Sequence, residues 1–175
     1  GIVYILVTES LPFFDAVSLK EFLTSTVWTP LFERKNYGIL PLVAGTITIT
    51  GIALLVAIPL GTITAVYLSE FATHKVREIV KPILELLVGV PTVVFGYFAL
   101  LLVTPLLQKI YPDLPTFNML GPGIVMGIMI VPYIASVAED AMRAVPMAMR
   151  EGSYAMGATR FQTAVTVVMP AALSG

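Results

Sequence analysis

The sequence has no cysteine and a single histidine, His74. Without cysteine there is no disulfide framework and no thiolate metal site. One histidine cannot build a histidine metal cluster. Charge is also scarce. Only 12% of residues are Asp, Glu, Lys or Arg, against about 25% in a soluble globular domain. The net charge is −1, so the broad positive field that nucleic-acid binding requires is missing. There is no Gly-x-x-x-x-Gly-Lys-Ser/Thr run, which excludes ATP binding through a P-loop.

What the chain has is apolar length. Hydrophobic residues make up 57% of its 175 positions, and the mean hydropathy is +0.91. A membrane-spanning helix needs about 20 mostly apolar residues. Three stretches meet that need without a charge: Ile39–Leu68, Leu86–Gln108 and Met119–Ala138. The first is longer than one perpendicular span and is expected to tilt or to begin in the interface. Residues 1–8 read as the end of an earlier span, because they lack the basic start and cleavage site of a signal peptide.

In hydrocarbon no free backbone donor is tolerated, so the fold class expected is all-α: a polytopic transmembrane helix bundle, incomplete at both ends. The boundaries expected are 1–8 for the end of a first span, 9–38 for an external segment and 39–68 for a full span. A cytoplasmic loop follows at 69–82, a span at 83–108, an external loop at 109–118 and a span at 119–142. Residues 143–175 form a cytoplasmic loop. Lys75, Arg77 and Lys81 in one linker, and Arg143, Arg150 and Arg160 after the last span, fix these sides by the positive-inside rule. Lys20, Arg34 and Lys35 in the external segment weigh against that assignment, while Trp28 and Tyr37 there suit an interfacial belt. The basic run His74-Lys75-x-Arg77 is expected to face anionic lipid.

Thirteen prolines and thirteen glycines are no disorder signal in so apolar a chain, since both are common in membrane helices. Pro59, Pro91, Pro105 and Pro132 are expected to kink spans or mark their ends. The glycines allow close helix approach. Glu85, Glu139, Asp140 and Arg143 lie at span edges and are expected to serve as interface or pairing residues. Glu139 and Arg143 are four apart and can pair on one helix face. An intramembrane enzyme built on Glu139 and Asp140 is the rival class, but adjacent helical residues point about 100° apart and do not face each other. A passive channel is a third class.

The tail carries a spaced motif: Glu151-Gly152-Ser153, then Gly157, then Val167-Val168-Met169-Pro170. This reads as two short helices around a turn at Gly157, where glycine permits a left-handed backbone. Glu151 and Arg160 flank the turn and are placed to anchor it by ion pairs. The spacing resembles the EAA loop of ABC-importer permeases: Glu-Ala-Ala, three residues, Gly, nine residues, then Ile-x-Leu-Pro. Glu151, Gly157 and Pro170 fall in register, while Gly152 and Ser153 stand where that pattern has alanines. Further blocks, Trp28-Thr29-Pro30, Tyr37-Gly38-Ile39-Leu40-Pro41-Leu42 and Gly89-Val90-Pro91-Thr92 with the residues that follow, look like phosphate-importer permeases of the PstC type.

The resemblance implies a non-catalytic transport subunit without a cofactor, in a bacterial or archaeal plasma (inner) membrane. Its implied partners are two ATP-binding cassette subunits, a sister permease, an external substrate-binding protein and membrane lipid, with no nucleic acid. The implied ATPase-docking loop comprises Glu151, Gly152, Ser153, Gly157, Ala158, Arg160 and Pro170. The spans after this loop, which carry the family's Arg/Glu motif, do not occur in this chain. A phosphate path needs donors rather than carboxylates, so the hydroxyls of Thr46, Thr50 and Thr92 are the candidates; the alternative is that they bond within the helix bundle. The cargo rests on resemblance alone, and molybdate or phosphonate remain open alternatives.

Overall fold

The computed structural model describes residues 1–173. Among these residues every helix or strand assignment is helical, apart from one isolated antiparallel bridge between Trp28 and Tyr37. The chain divides into two compact units, Gly1–Thr48 and Ile49–Gly175.

In the first unit, α1 runs Ile2–Ala16 and α2 runs Leu19–Thr24. Helix α1 therefore continues well past Thr8, where the apolar run ends. Ser18 stops the chain from running on as one helix. Its backbone is extended, and its hydroxyl accepts the Glu21 amide at 3.2 Å to cap α2. Aromatic rings hold the unit together edge to face: Phe13 on Phe14 at 5.1 Å, Phe13 on Tyr37 at 5.2 Å, and Phe14 on Phe22 at 5.6 Å. Trp28 leans on Tyr37 at 6.2 Å.

Helix α3 spans Leu40–Val66 and continues through a π-helical turn, Tyr67–Phe71. In the second unit, α4 is His74–Val88. Helix α5, Thr92–Phe98, passes through a second π turn, Ala99–Val103, into α6, Thr104–Ile110. Helix α7 is Leu120–Ala144 and α8 is Met147–Ala155. Helix α9, Arg160–Thr163, passes through a third π turn, Ala164–Val168, into α10, Met169–Ala172. Among the described residues, three stretches are long and apolar enough to cross a membrane: Leu40–Phe71, Thr92–Ile110 and Leu120–Ala144.

The apolar run expected as one span from residue 83 is two helices here. Helix α4 ends at Val88, Gly89 caps it, and α5 starts after Pro91. Proline disfavours helical backbone in the residue before it, so Val90 is where the helix breaks. The second and third π turns have a related cause. Pro105 and Pro170 each follow one within two residues. A proline offers no amide to the carbonyl one turn back, and a local π turn is one way to re-pair the freed groups.

The second unit packs through small residues. Ala53, Ala57, Gly61 and Ala65 repeat every fourth position and are buried. Opposite them lie Gly123, Gly127 and Ala135 of α7, also buried. A Cβ at Gly127 would stand 2.6 Å from Val56 Cβ and 2.8 Å from the Ala53 carbonyl oxygen. The two helices touch backbone to side chain, which only small residues permit. Many large apolar side chains are left exposed, among them Leu55, Ile63, Leu86 and Leu101. Helices α4 and α10 also lie against α7, and Ala65 of α3, Met142 and Val145 at the end of α7 and Val168 of the third π turn form an apolar cluster.

Candidate functional site: the turn between α8 and α9

The motif-bearing tail folds as a helix, a turn and a helical run. Helix α8 closes with Gly157 at φ +87°, the one left-handed residue among those described. The Gly157 amide donates to the Tyr154 carbonyl at 2.9 Å, and the Ala158 amide donates to the Ser153 carbonyl at 3.2 Å. This is the paired bonding of a Schellman cap. The second helical run starts with a capping box. The Thr159 hydroxyl accepts the Gln162 amide at 3.3 Å, and the Gln162 side chain accepts the Thr159 amide at 2.8 Å.

The residues of the motif take two different sides. Glu151, Gly152, Gly157, Arg160 and Pro170 are exposed, and Ala158 is half-buried. Ser153 faces inward, where its hydroxyl lies 2.9 Å from that of Thr163 with both side chains buried. It braces the two limbs of the turn instead of joining the outer surface. Glu151 and Arg160 make no ion pair among the described residues. The turn is held by other groups.

Chief among these is Arg150, a residue that sequence reasoning treated only as a marker of sidedness. Its guanidinium is buried. Nη2 donates to Glu70 Oε1 at 2.9 Å and Nε donates to Oε2 at 3.4 Å. The same group donates to the Val145 carbonyl at 2.5 Å and to the Met142 carbonyl at 2.8 Å. Glu70 also accepts from the Ser69 hydroxyl at 2.9 Å. One side chain thus joins α8 to the π turn after α3, to the Met142 carbonyl in the last turn of α7 and to the Val145 carbonyl just past its end, where helix carbonyls run short of amide partners. The signal in the sequence was weak: a cation on a polar loop looks solvated, and Glu70 lies far away along the chain.

A second ionic cluster ties α4 to α7. Glu139 is 1% exposed. Lys81 Nζ reaches it at 2.9 Å, Arg77 Nε at 3.5 Å and Arg143 Nη1 at 3.6 Å. The expected Glu139–Arg143 pair is present, but Lys81 is the closer partner. Lys81 also bonds Asp140. Those bonds, to Asp140 first and then to Glu139, hold the Lys81 ammonium above its ordinary pKa. Arg77 additionally donates to the Leu68 carbonyl at 2.6 Å and the Ser69 carbonyl at 3.1 Å, closing the end of the first long helix. The open cavity beside this cluster is lined by Arg77, Lys81 and Arg143 and not by Glu139, which leaves the carboxylate facing cations. His74 pairs with Glu78 at 3.3 Å, and both are exposed.

The candidate hydroxyls have separate surroundings. Thr46 donates to the Leu42 carbonyl at 2.8 Å, a bond within its own helix. Thr50 is exposed. Thr92 borders an apolar groove of about 400 Å³ between α5 and α7, with Phe95, Val125 and Met129 among its walls, and Thr50 does not line it.

Three long apolar helices joined by short ionic segments, with a capped helix–turn–helix at one end, define a multi-pass membrane protein. Residues 57–175 match the family described as binding-protein-dependent transport system inner membrane components, and the chain belongs to that family. It is thus a plasma-membrane (inner-membrane) protein. The chain is 40% identical over 158 residues to the probable ABC transporter permease protein YqgH of Bacillus subtilis, covering 90% of this chain and 51% of that protein. It is 31% identical over 168 residues to the phosphate transport system permease protein PstC of Mesorhizobium japonicum, covering 85% of this chain and 51% of the relative. The PstC of Haemophilus influenzae is also 31% identical, with 85% of this chain and 53% of that protein covered. The chain spans about half the length of the curated relatives it matches. Among solved structures, a chain of the inward-facing MetNI methionine ABC transporter superposes with a TM-score of 0.56 at 22% identity, over 78% of this chain and 61% of that one. That likeness concerns the fold.

Proposed function

We propose that this chain is the membrane-spanning permease part of an ATP-driven importer, that the turn between α8 and α9 docks the ATP-hydrolysing subunit, and that the cargo is inorganic phosphate. The carrying observation is the Schellman turn at Gly157. It stands at the glycine of a Glu/Gly/Pro spacing that resembles the EAA loop, and it leaves Glu151, Gly152, Gly157, Arg160 and Pro170 on the outer surface. Two small residues at the apex let another protein's backbone come close. In this reading residues 69–82 and 143–175 face the cytoplasm.

The chain itself is non-catalytic. Hydrolysis belongs to two ATP-binding cassette subunits. A sister permease completes the membrane unit, and an external binding protein delivers cargo. ATP binding closes the cassette pair, the docked turn moves with it, and the spans rock to open the path outward. Phosphate as cargo is supported by the PstC relatives. Thr46, Thr50 and Thr92 are the proposed path hydroxyls.

The test uses the full-length permease. Its cognate ATPase subunit should co-purify with it, and Gly157→Arg should release that subunit. Cells lacking the protein should lose radiolabelled phosphate uptake and regain it with the intact gene. Undiminished ATPase binding by Gly157→Arg would refute the docking site. Normal phosphate uptake in the deleted cells, with loss of molybdate or phosphonate uptake, would keep the permease and replace its cargo.

A further inference from the structure

We infer that Arg150 is a positioning residue that makes α8 and the ends of two spans move as one body, so that motion of the docked ATPase subunit reaches the membrane helices through it. This rests on the docking proposal above. The covalent link from α7 to α8 is only Val145-Pro146, and both residues are extended there, Val145 at ψ 127° and Pro146 at ψ 139°. A two-residue extended link between helices is a hinge: alone it would let α8 swing while α7 stayed still. Arg150 reaches back across that hinge. It bonds the Met142 carbonyl in the last turn of α7, the Val145 carbonyl in the link itself, and Glu70 beyond them in the π turn that follows α3.

The side chains of Arg150 and Glu70 are 10% and 6% exposed. Pulling them apart would leave two buried charges without their counter-ions, which is far costlier than losing an exposed pair. The guanidinium fork also fixes direction, because its planar donors engage acceptors on three residues at once. Helix periodicity sets the division of labour. Arg150 and Ser153 face inward while Glu151 and Gly152, their neighbours, are exposed. Docking and force transfer therefore occupy opposite faces of the same short helix. Ser153 and Thr163 lock the second limb of the turn to the first, so the whole helix–turn–helix follows α8.

The experiment uses the full-length permease with its sister permease and ATPase subunits in proteoliposomes. Arg150→Gln should keep the ATPase subunits bound and ATP hydrolysis within about two-fold of the parent, while phosphate uptake per ATP falls about ten-fold. Glu70→Gln should uncouple in the same way, and it leaves both carbonyl bonds of Arg150 in place, so it serves as the reading if Arg150→Gln fails to fold. Arg150→Lys keeps a cation opposite Glu70 and should recover part of the uptake. Uptake and hydrolysis falling in parallel, uptake unchanged in both variants, or loss of the ATPase subunit from Glu70→Gln would each overturn the inference. If the parent protein itself neither retains the ATPase subunit nor takes up phosphate, it is the docking and cargo proposal that fails.

Discussion

Replacing Gly157 tests backbone strain with little interference from packing. The residue sits at φ +87°, and no heavy atom lies within 4 Å of where a Cβ would be. Alanine therefore meets no clash, and the whole penalty is the left-handed backbone. For an L-residue that costs about 1–2 kcal/mol, which lowers the closed population of the turn by a factor of about 5–30. The amides that report it are those of Gly157 and Ala158, bonded to the Tyr154 and Ser153 carbonyls. In Gly157→Ala, hydrogen exchange protection at Ala158, measured on the full-length permease in nanodiscs, should fall by that factor. Gly157→Asn should lose less, because asparagine visits the left-handed region with local hydrogen bonding. Affinity for the ATPase subunit should follow the same order. Equal protection in all three proteins, or a larger loss for asparagine than for alanine, would refute the argument from backbone strain.

Gly127→Val should cost about 1–3 kcal/mol by overpacking and lower the thermal midpoint, since its Cβ would meet Val56 and the Ala53 carbonyl; Gly51→Ala, with nothing within 4 Å, should not lower it and should raise it slightly, because alanine is about 0.5–1 kcal/mol better than glycine inside a helix. Ser153→Ala alone should cost about 1–3 kcal/mol by orphaning the Thr163 hydroxyl, whereas Ser153→Ala with Thr163→Val should cost less than the two single changes added, a coupling that a double-mutant cycle measures. Lys81 has its pKa raised in the folded protein. Its stabilisation is then complete below the unfolded value near 10.5 and is lost as pH climbs through the higher folded value. The gap in thermal stability between the parent and Lys81→Met should therefore hold constant through neutral pH and shrink in strong alkali.

The three long helices were legible because their cause is local: an uncharged apolar run either is or is not long enough. The turn at Gly157 was legible for the same reason, since glycine, small neighbours and a following polar cap lie within a few positions. The break before α5 was harder to see. The apolar run continues straight across Leu86 to Val94, and hydropathy hides the end at Val88; only Gly89 and Pro91 mark it. Pairs such as Lys81–Glu139 and Arg150–Glu70 were out of reach, because nothing along the chain says which distant carboxylate a cation will meet. Glu139–Arg143 could be anticipated since one helical turn joins them. The inward rotation of Ser153 depends on Thr163 arriving opposite it, which only the closed turn brings about.

The π turn at Ala99–Val103 has a consequence for how the helix around it is compared with others. The Thr104 amide bonds the Ala99 carbonyl, five residues back, and both residues are buried. On an ordinary helical wheel positions five apart lie about 140° from one another, so a single wheel drawn from Thr92 to Ile110 turns one of them outward. The extra residue acts as a phase shift: above it and below it the same face of the helix is spelled in different frames. Removing one residue there would restore a regular helix and rotate everything beyond it by about 100°, carrying the Thr104 hydroxyl away from Asn118 and Gly121, which it now meets. A one-residue gap at this point in an alignment therefore marks a change of face.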